Sequence, residues 1–432
     1  MDGIKLSVRR LVGLQLDDME EAQYFPRLIR TRLLEALDDT PAVLIHGPRQ
    51  SGKTTLTQRV GEERDYAYVT FDDANMLAAA TEDPVGFVGR LSKRVILDEV
   101  QRVPELFTAL KREIDRDRLA GRFLLTGSAN VLLVPRLSDS LAGRMEILRL
   151  YPLAQCEIEQ VQPGFLQALF TDTFQVSASQ RLGEELVQRV LAGGYPEPHR
   201  RAVGRRRREW YRNYIETITQ RDIRDLSRLR RLDAIPKLLQ MVAGQSAHLF
   251  NVSELAGPFQ LTRPTIREYV GLLEKIFLLD VLPPWHSNRL KRLVKTPKLH
   301  LGDTGLAGAV LSIDVPQLIE NRALFGQMLE TFVYNELKRQ ASWHENELTF
   351  FHYRDKDQYE VDLVIEQVGG QVAGVEVKAA STVREKDFRG LKRLRQATSR
   401  AFSAGVVLYD GDSVLPFGDR LFAVPISALW AN

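Results

Sequence analysis

The chain has 432 residues, 44% hydrophobic and 27% charged, which is the composition of a globular protein with room for about two to four domains. Its net charge is only +3, although the stretch 200–231 holds twelve arginines against four acidic residues. The single cysteine, Cys156, excludes an internal disulfide and a multi-cysteine metal cage. Without an apolar signal core or a run of about 18 apolar residues, we expect a cytoplasmic protein with no membrane segment.

A glycine-rich turn follows the first apolar stretch, 42–45. Residues 44–56 read LIHGPRQSGKTTL and match the phosphate-binding pattern G-x-x-x-x-G-K-[ST]. Glycines let backbone N–H groups converge on phosphate oxygens, Lys53 is expected to reach the β- and γ-phosphates, and Thr54 is expected to place its hydroxyl on Mg²⁺. The predicted nucleotide-binding residues are Gly47, Pro48, Arg49, Gln50, Ser51, Gly52, Lys53, Thr54 and Thr55.

Two β-rich stretches, 66–71 and 94–97, come next along the chain. The second is apolar throughout its interior, as in a strand buried on both faces of a parallel sheet. It ends in Asp98 and Glu99, which predicts that Asp98 holds Mg²⁺ and that Glu99 polarises the attacking water. An ordinary acidic turn after a strand is the alternative.

A fourth strand is expected at 122–126, followed by a polar residue that would sense the γ-phosphate. Ser128 is the candidate, with Asn130 as its alternative, and either residue could instead cap the next helix. Arg144 precedes a fifth strand at 145–150, so we expect it to act as an arginine finger on the nucleotide of a neighbouring subunit. Arg136 is the reserve candidate, and a surface salt bridge is the alternative for both arginines.

These motifs resemble an AAA-superfamily ATPase of a prokaryotic branch in which the ATPase core is followed by a winged helix and a nuclease-like domain. The resemblance rests on DEVQ at 98–101, LTGS at 125–128 and SLAGR at 140–144, and extends to YPL at 151–153, GGYP at 193–196, QRDI at 220–223 and DTG at 303–305. It implies an α/β fold with four parts. They are an AAA-type core with an N-terminal lead-in at 1–155, a helical lid and arginine-rich segment at 156–231, a winged helix and basic linker at 232–298, and a restriction-endonuclease-like domain at 299–432.

Two segments are candidates for DNA contact. The arginine-rich segment interleaves Arg205, Arg206, Arg207 and Arg208 with aromatic residues (Trp210, Tyr211 and Tyr214), as in surfaces that grip phosphates and stack bases. A solvated basic face, or arginines pairing with another subunit, explains the same composition. In the winged helix, the recognition helix would begin with Thr262, Arg263, Thr265 and Arg267, although such modules also serve as dimer or lid elements.

The last domain has a second set of charged residues in the order of the PD-(D/E)xK nuclease fold, which it resembles. Asp362 lies in a predicted strand, and the period of two places Glu376 and Lys378 on one face of the next strand. Asp362 and Glu376 would chelate Mg²⁺ or Mn²⁺, Glu330 on a preceding helix would support the metal, and Lys378 would activate water. Glu336 is an alternative to Glu330, and the fold could also persist as a scaffold without cleavage.

The sequence therefore predicts a homo-oligomeric ATPase that uses ATP and Mg²⁺ to bind or remodel DNA, as a motor or branch-processing protein. An ATP-regulated, metal-dependent nuclease is the first alternative, and a signalling or scaffold ATPase with an inactive nuclease-like fold is the second.

Overall fold

The computed structural model describes residues 24–128, 141–171, 174, 179–226, 234–257, 261–288, 292 and 296–431, without the side chains of residues 221–226 and 254–255. Asn130, Arg136 and most of the basic linker lie outside the described residues, and their assignments stay predictions.

The N-terminal part is a five-stranded, wholly parallel sheet in the order β2-β3-β4-β1-β5. Its strands are β1 (Ala42–His46), β2 (Ala67–Thr70), β3 (Val95–Asp98), β4 (Phe123–Gly127) and β5 (Met145–Arg149). Its helices are α1 (Arg30–Asp39), α2 (Lys53–Arg64), α3 (Ala74–Glu82), α4 (Pro84–Gly89) and α5 (Leu106–Arg116). The strands predicted for this core are confirmed to within two residues at each end.

Both faces of this sheet are buried. Ala42 and Leu44 of β1 join the hydrophobic cluster on one face, whereas Val43 and Ile45 join the cluster on the other. Because parallel strands covered on both faces need apolar side chains at every position, β1 reads as a continuous apolar run. This order also makes β1, β3 and β4 close neighbours. The phosphate loop after β1 and the acidic residues Asp98 and Glu99 after β3 therefore lie at the same end of the sheet.

The middle of the chain is helical, with one pair of antiparallel strands. Its helices are α6 (Gln155–Glu159), α7 (Phe165–Thr171), α8 (Glu184–Ala192), α9 (Pro196–His199), α10 (Arg205–Leu226), α11 (Ala234–Gly244), α12 (Val252–Ala256) and α13 (Arg263–Lys275). Strands β6 (Leu279–Leu282) and β7 (Lys298–Leu301) form the pair. Strand β6 begins two residues after Phe277, which has a left-handed φ of 62°. The domain boundary predicted between residues 298 and 299 falls inside β7.

The C-terminal part begins with α14 (Thr304–Val310), α15 (Val315–Glu320) and α16 (Arg322–Ala341). Its sheet has the order β12-β13-β11-β10-β9-β8, with parallel pairing on both sides of β11 and antiparallel pairing elsewhere. The strands are β8 (Leu348–Arg354), β9 (Glu360–Gln367), β10 (Val372–Lys378), β11 (Phe402–Tyr409), β12 (Leu415–Pro416) and β13 (Leu421–Pro425), and α17 (Arg389–Thr398) precedes β11.

One hydrophobic core joins the middle and C-terminal parts. A single cluster of buried residues extends from Ala154 to Trp430 and includes Tyr211 of α10, Leu273 of α13 and Leu329 of α16. The lid, the middle helices and the C-terminal sheet therefore pack as a continuous body.

Candidate nucleotide site and C-terminal carboxylate cluster

The phosphate loop runs from the end of β1 to the start of α2, and two of its residues must be glycine. A Cβ atom on Gly47 would lie 2.1 Å from the backbone oxygen of Leu150, and Gly52 has a left-handed φ of 93°. Gln50 also has a left-handed φ, of 62°. The loop is therefore a tight turn that directs the N-terminus of α2 towards the predicted phosphate position.

The side chain of Lys53 lies back across this loop. Its Nζ donates hydrogen bonds to the backbone oxygens of Gly47 (3.0 Å) and Pro48 (2.9 Å), and the side chain is buried. Ser51 Oγ donates to the same Pro48 oxygen at 2.9 Å. The ammonium thus contacts neutral acceptors, which phosphate oxygens can replace with a gain in charge attraction.

Asp98 at the end of β3 is surrounded by hydroxyl groups. Thr54 Oγ1 donates to its Oδ1 at 3.2 Å, Tyr68 OH donates to its Oδ2 at 2.8 Å, and Thr126 also donates to Oδ1. Burial, followed by the hydrogen bond to Asp98, raises the pKa of Tyr68 well above its usual range. The adjacent Thr54 hydroxyl and Asp98 carboxylate are hard oxygen ligands that fit Mg²⁺.

Glu99 has a left-handed φ of 60°, and its side chain accepts a hydrogen bond from Gln101 Nε2. Gln101 Nε2 also donates to Ser128 Oγ at 3.1 Å. The structure therefore joins the predicted water-polarising residue to the predicted γ-phosphate sensor through Gln101. The sequence prediction did not include Gln101 in this role, although it is the last residue of the DEVQ motif.

Helices α9 and α10 complete the nucleotide pocket, a cavity of about 560 Å³. Residues outside the phosphate loop that line it include Asp72, Pro196, Glu197, Arg200, Trp210, Asn213, Tyr214 and Thr217. Tyr214 OH donates to the backbone oxygen of Arg49 at 3.1 Å, so α10 is hydrogen-bonded to the phosphate loop. Sequence reasoning missed this contribution because the lid is distant from the loop along the chain.

Two of the aromatic residues of α10 that were predicted to stack bases are buried. Tyr211 and Tyr214 are 1% and 7% exposed, and the Trp210 ring stacks on Tyr214 with centroids 5.0 Å apart. The expectation of an aromatic surface for base stacking is therefore wrong for these two tyrosines, because they contribute to the core and to the nucleotide pocket.

The arginines at the start of α10 differ in their surroundings. Arg205 and Arg206 are exposed and pair with Glu209, with N–O distances of 3.2 and 3.0 Å. Arg207 and Arg208 are half-buried, and Arg207 Nε donates to the backbone oxygen of Pro198 at 2.9 Å. Arg205 and Arg206 thus stay on the surface at the start of α10, while residues from Trp210 onwards line the pocket.

The predicted recognition helix is α13. Thr262 caps it by accepting a hydrogen bond from the Thr265 backbone N–H at 3.3 Å, and Arg263 and Arg267 are exposed in its first turns. The cap fixes the start of the helix and leaves both guanidinium groups at the surface.

Arg144 lies at the amino end of β5. The phosphate loop lies at the opposite end of the parallel sheet, where the strands have their carboxyl ends. Its Nε donates to Asp115 Oδ1 at 2.6 Å, and the Arg144 guanidinium holds the pKa of Asp115 below its usual range. The surface salt bridge, the stated alternative, is thus formed within one chain, and a finger role towards another subunit stays a prediction.

The C-terminal cluster brings Glu330, Asp362, Glu376 and Lys378 together around the end of β10. Lys378 Nζ donates to Glu376 Oε1 at 2.7 Å, and the Val377 backbone N–H donates to Asp362 Oδ2 at 2.9 Å. Lys298 of β7, which sequence reasoning did not assign to the site, donates to Glu330 Oε1 at 2.8 Å. The Lys298 Nζ atom also lies 3.5 Å from Asp362 Oδ1.

Burial and the nearby negative charge of Asp362 have the largest effects on the pKa values of the two glutamates, Glu330 and Glu376. Burial, followed by the charge of Asp362, raises the pKa of Glu330 and that of Glu376 to about 8. Lys298 and Lys378 act in the opposite direction on these two glutamates. The lysines therefore offset only part of the effect of burial on the pKa of these two glutamates.

The residues fit a divalent metal poorly at this cluster. Within the parts of the chain that the structure describes, no group of three His, Cys, Asp or Glu side chains is arranged to hold a metal ion. The Lys298 ammonium instead contacts the oxygens of Glu330 and Asp362 that a metal would need. The second Mg²⁺ or Mn²⁺ expected at Asp362 and Glu376 is thus not supported by the side-chain arrangement.

Glu336 belongs to a different network, so it cannot replace Glu330. Its Oε2 accepts from the Gln155 backbone N–H at 2.8 Å, and its Oε1 accepts from Arg339 Nη1 at 3.0 Å. Arg339 Nη2 donates to Asp303 Oδ2 at 2.8 Å, and the Gly194 backbone N–H donates to the same oxygen at 2.7 Å. This network joins the DTG and GGYP motifs, for which the sequence offered no mechanism.

A buried arginine ties the phosphate loop to the start of the lid. Arg27 Nη1 donates to the Ser51 backbone oxygen at 2.7 Å, Nη2 to the Tyr151 oxygen at 2.7 Å, and Nε to Glu157 Oε1 at 3.0 Å. The Arg27 and Glu157 side chains are 5% and 0% exposed. The loop is therefore braced by residues far from it in sequence.

An AAA-domain family model matches residues 39–159, and two models described as domains of unknown function, DUF8612 and DUF4143, match residues 183–317 and 325–429. Uncharacterized proteins from Mycobacterium tuberculosis and Mycobacterium bovis are each 31% identical over 396 residues, with 91% of this chain and 82% of the relative covered. The chain belongs to the family of these mycobacterial proteins. The AAA match and the phosphate loop make this family member a P-loop ATPase, which binds nucleotide and, as is typical of such enzymes, Mg²⁺.

Two solved structures are similar at 18% identity. The Walker-type ATPase of Pyrococcus abyssi has a TM-score of 0.39, with 67% of this chain and 96% of that chain covered. The RuvB Holliday junction branch migration motor of Thermotoga maritima has a TM-score of 0.28, with 59% and 89% covered. These scores are too low to bear on the function of the family. In the described residues, no helix combines the length and apolar character needed to cross a membrane.

Proposed function

We propose that this ATPase couples Mg²⁺-dependent ATP hydrolysis to the binding or remodelling of DNA. The observation that carries the proposal is the position of α10. One face of this helix lines the nucleotide pocket and bonds to the phosphate loop through Tyr214, while Arg205 and Arg206 are exposed on the same helix. A change in the bound nucleotide would therefore move α10 and with it a basic surface that can contact DNA phosphates.

Hydrolysis would use the residues at the carboxyl ends of the parallel strands. Lys53 exchanges its backbone acceptors for phosphate oxygens, and Thr54 with Asp98 holds Mg²⁺, which neutralises charge on the phosphates when bound. Glu99 then orients the attacking water, and Gln101 holds the Glu99 carboxylate beside Ser128.

The order of elements from α11 to β7 supports a winged helix as the second DNA contact. Three helices are followed by an antiparallel strand pair, and α13 would be the recognition helix, with Arg263 and Arg267 exposed in its first turns. The C-terminal part, in which α16 precedes three antiparallel strands, a helix and a parallel strand, supports a nuclease-like fold.

The test compares two matched pairs of exposed arginines. Arg205→Ala with Arg206→Ala should weaken binding of duplex or forked DNA about tenfold at low salt, because two phosphate contacts are lost. Arg112→Ala with Arg116→Ala removes the same charge from α5, and should leave the gel shift unchanged. Equal weakening by both pairs, or no shift by the wild-type protein at low salt, would reject a DNA contact by α10.

We also propose a homo-oligomer in which Arg144 reaches a neighbouring nucleotide. Breaking the Arg144 pair with Asp115 would free the guanidinium for this role. Mixing Arg144→Ala subunits with Lys53→Ala subunits should restore activity, because some shared sites would then have both residues. A mixture no more active than its parts would rule out a shared site.

A scaffold or signalling ATPase with an inactive nuclease-like fold is the second candidate. The contact of Lys298 with Glu330 and Asp362 favours it over an ATP-regulated nuclease, because cleavage through Asp362 and Glu376 would need a divalent metal there. Incubating DNA with the protein and Mn²⁺ tests the nuclease. DNA cleavage that Lys378→Ala removes would establish the nuclease and reject the scaffold.

A further inference from the structure

The C-terminal cluster has the residue order of a metal-dependent nuclease, yet a lysine from another segment enters it. Lys298 is 64 residues before Asp362 and lies on β7, which pairs with β6 and not with the C-terminal sheet. Its side chain is only 6% exposed. A buried ammonium needs nearby negative charge, so this position is a specific feature of the cluster.

Most carboxylate oxygens of the cluster already have donors. Glu330 Oε1 and Asp362 Oδ1 contact Lys298, Asp362 Oδ2 accepts from the Val377 N–H, and Glu376 Oε1 accepts from Lys378. Of the buried oxygens of these three side chains, Glu376 Oε2 has no hydrogen-bond partner in the described structure. A divalent ion would have to displace an ammonium that touches two carboxylates.

The charges lead to the same conclusion. Three carboxyl groups face two lysine side chains, and Lys298 and Lys378 each form an ion pair with them. Lys298 Nζ lies 2.8 Å from Glu330 Oε1 and 3.5 Å from Asp362 Oδ1, so a metal ion on the same oxygens would lie beside the ammonium. Two further positive charges beside a fixed ammonium would meet direct repulsion.

We propose that Lys298 is the resident cation of the C-terminal cluster and keeps divalent metal away from Glu330 and Asp362. The inference rests on the proposed nuclease-like fold, and it assigns Lys298 the place that a metal takes in an active nuclease. The cavity over the cluster has a volume of about 1070 Å³ and is lined by Lys298, Arg322, Arg354 and Lys378 together with the acidic residues. It is therefore a cleft in which lysine and arginine side chains of the chain lie beside the acidic ones.

Lys298→Met tests this assignment, because methionine keeps the length of the side chain and removes its charge. We measure Mn²⁺ binding to the full-length protein without nucleotide, by electron paramagnetic resonance. The wild-type isotherm should not change on Asp362→Asn, whereas Lys298→Met should bind one more Mn²⁺ per chain, about tenfold tighter than any such wild-type site. That added ion should be lost in the Lys298→Met, Asp362→Asn double variant.

Lys338→Met is the matched control, since Lys338 is also buried and pairs with one carboxylate, Asp280, outside the cluster. It should gain no Mn²⁺ site. If Lys298→Met fails to fold, the comparison of the wild-type protein with Asp362→Asn still tests the proposal. Lys298→Arg keeps the positive charge and should bind no added Mn²⁺.

An Asp362-dependent Mn²⁺ site in the wild-type protein would overturn the proposal, as would a folded Lys298→Met variant without an added site. Neither result depends on DNA, so failure here is distinguishable from failure of the proposed DNA coupling, which the gel shift measures. Retained ATPase activity in Lys298→Met would show that the nucleotide site is intact.

Discussion

The nucleotide site and the C-terminal cluster both place a buried lysine beside acidic residues, but the lysines have different partners. Lys53 donates to backbone oxygens, while Asp98 is surrounded by hydroxyl groups. Lys298 donates to carboxylates directly. Phosphate can replace the backbone oxygens that Lys53 contacts, and Asp98 contacts hydroxyl groups, whereas Lys298 takes the place of a metal on its carboxylates. The same residue types therefore support opposite chemistry.

The largest effect should come from the nucleotide site. Lys53→Ala should lower the rate of phosphate release from ATP at least about 100-fold, because the charge on the β- and γ-phosphates loses its ammonium partner. Lys298→Met should leave that rate within about twofold, since its cluster is separate from the phosphate loop. Unchanged turnover in Lys53→Ala would refute the assignment of the loop.

The buried brace behind the phosphate loop should matter more for folding than an exposed pair does. Arg27→Ala leaves Glu157 as a buried carboxylate without its ion partner, and should lower the free energy of unfolding by about 3–5 kcal/mol in urea denaturation. Arg30→Ala breaks the pair with Glu63, whose side chain is 50% exposed, and should cost less than about 1 kcal/mol. Similar losses in the two variants would contradict a brace by Arg27.

Removal of Gln101 tests whether the acidic residues of the nucleotide site also need a positioned partner. Gln101→Ala should lower kcat about tenfold with little change in KM for ATP, because Glu99 loses its hydrogen bond beside Ser128 while the phosphate contacts remain. Gln101→Glu keeps the size of the side chain but adds repulsion, so it should not rescue the rate. A rise in KM alone would assign Gln101 to substrate binding.

The last prediction concerns the pH dependence of stability. Burial raises the pKa of Glu330 to about 8, from 4.5 as the ordinary value, so the folded chain binds more protons than the unfolded chain between these values. The free energy of unfolding should therefore fall as pH rises through this window and level off above about pH 8. Glu330→Gln should make that slope shallower, by at most about 1.4 kcal/mol per pH unit.

Urea denaturation at several pH values measures this slope. Glu345→Gln changes an exposed glutamate and should leave the slope unaltered. A slope that is equally steep in Glu330→Gln would mean that Glu330 takes up no proton on folding, and that Lys298 alone sets its charge.

Local sequence patterns predicted the phosphate loop and the strand before Asp98, because both elements are short. Gly47 to Thr54 form one turn, and the apolar stretch before Asp98 is a single buried strand, so glycine placement and periodicity were sufficient. The period of two likewise placed Glu376 and Lys378 on one face of β10, where they form an ion pair.

Only the tertiary structure decided which side chains that are far apart in the sequence are in contact. Arg27 and Glu157 are 130 residues apart, and Lys298 reaches a cluster 64 residues later. The tertiary structure also separated Glu330 from Glu336, which share α16 but face different networks, and it buried Tyr211 and Tyr214 in the core. Sequence periodicity encodes the face of an element, whereas the partner of that face depends on packing of the whole chain. The sequence by itself thus determined a P-loop ATPase, and the fold determined which cation its second charged site holds.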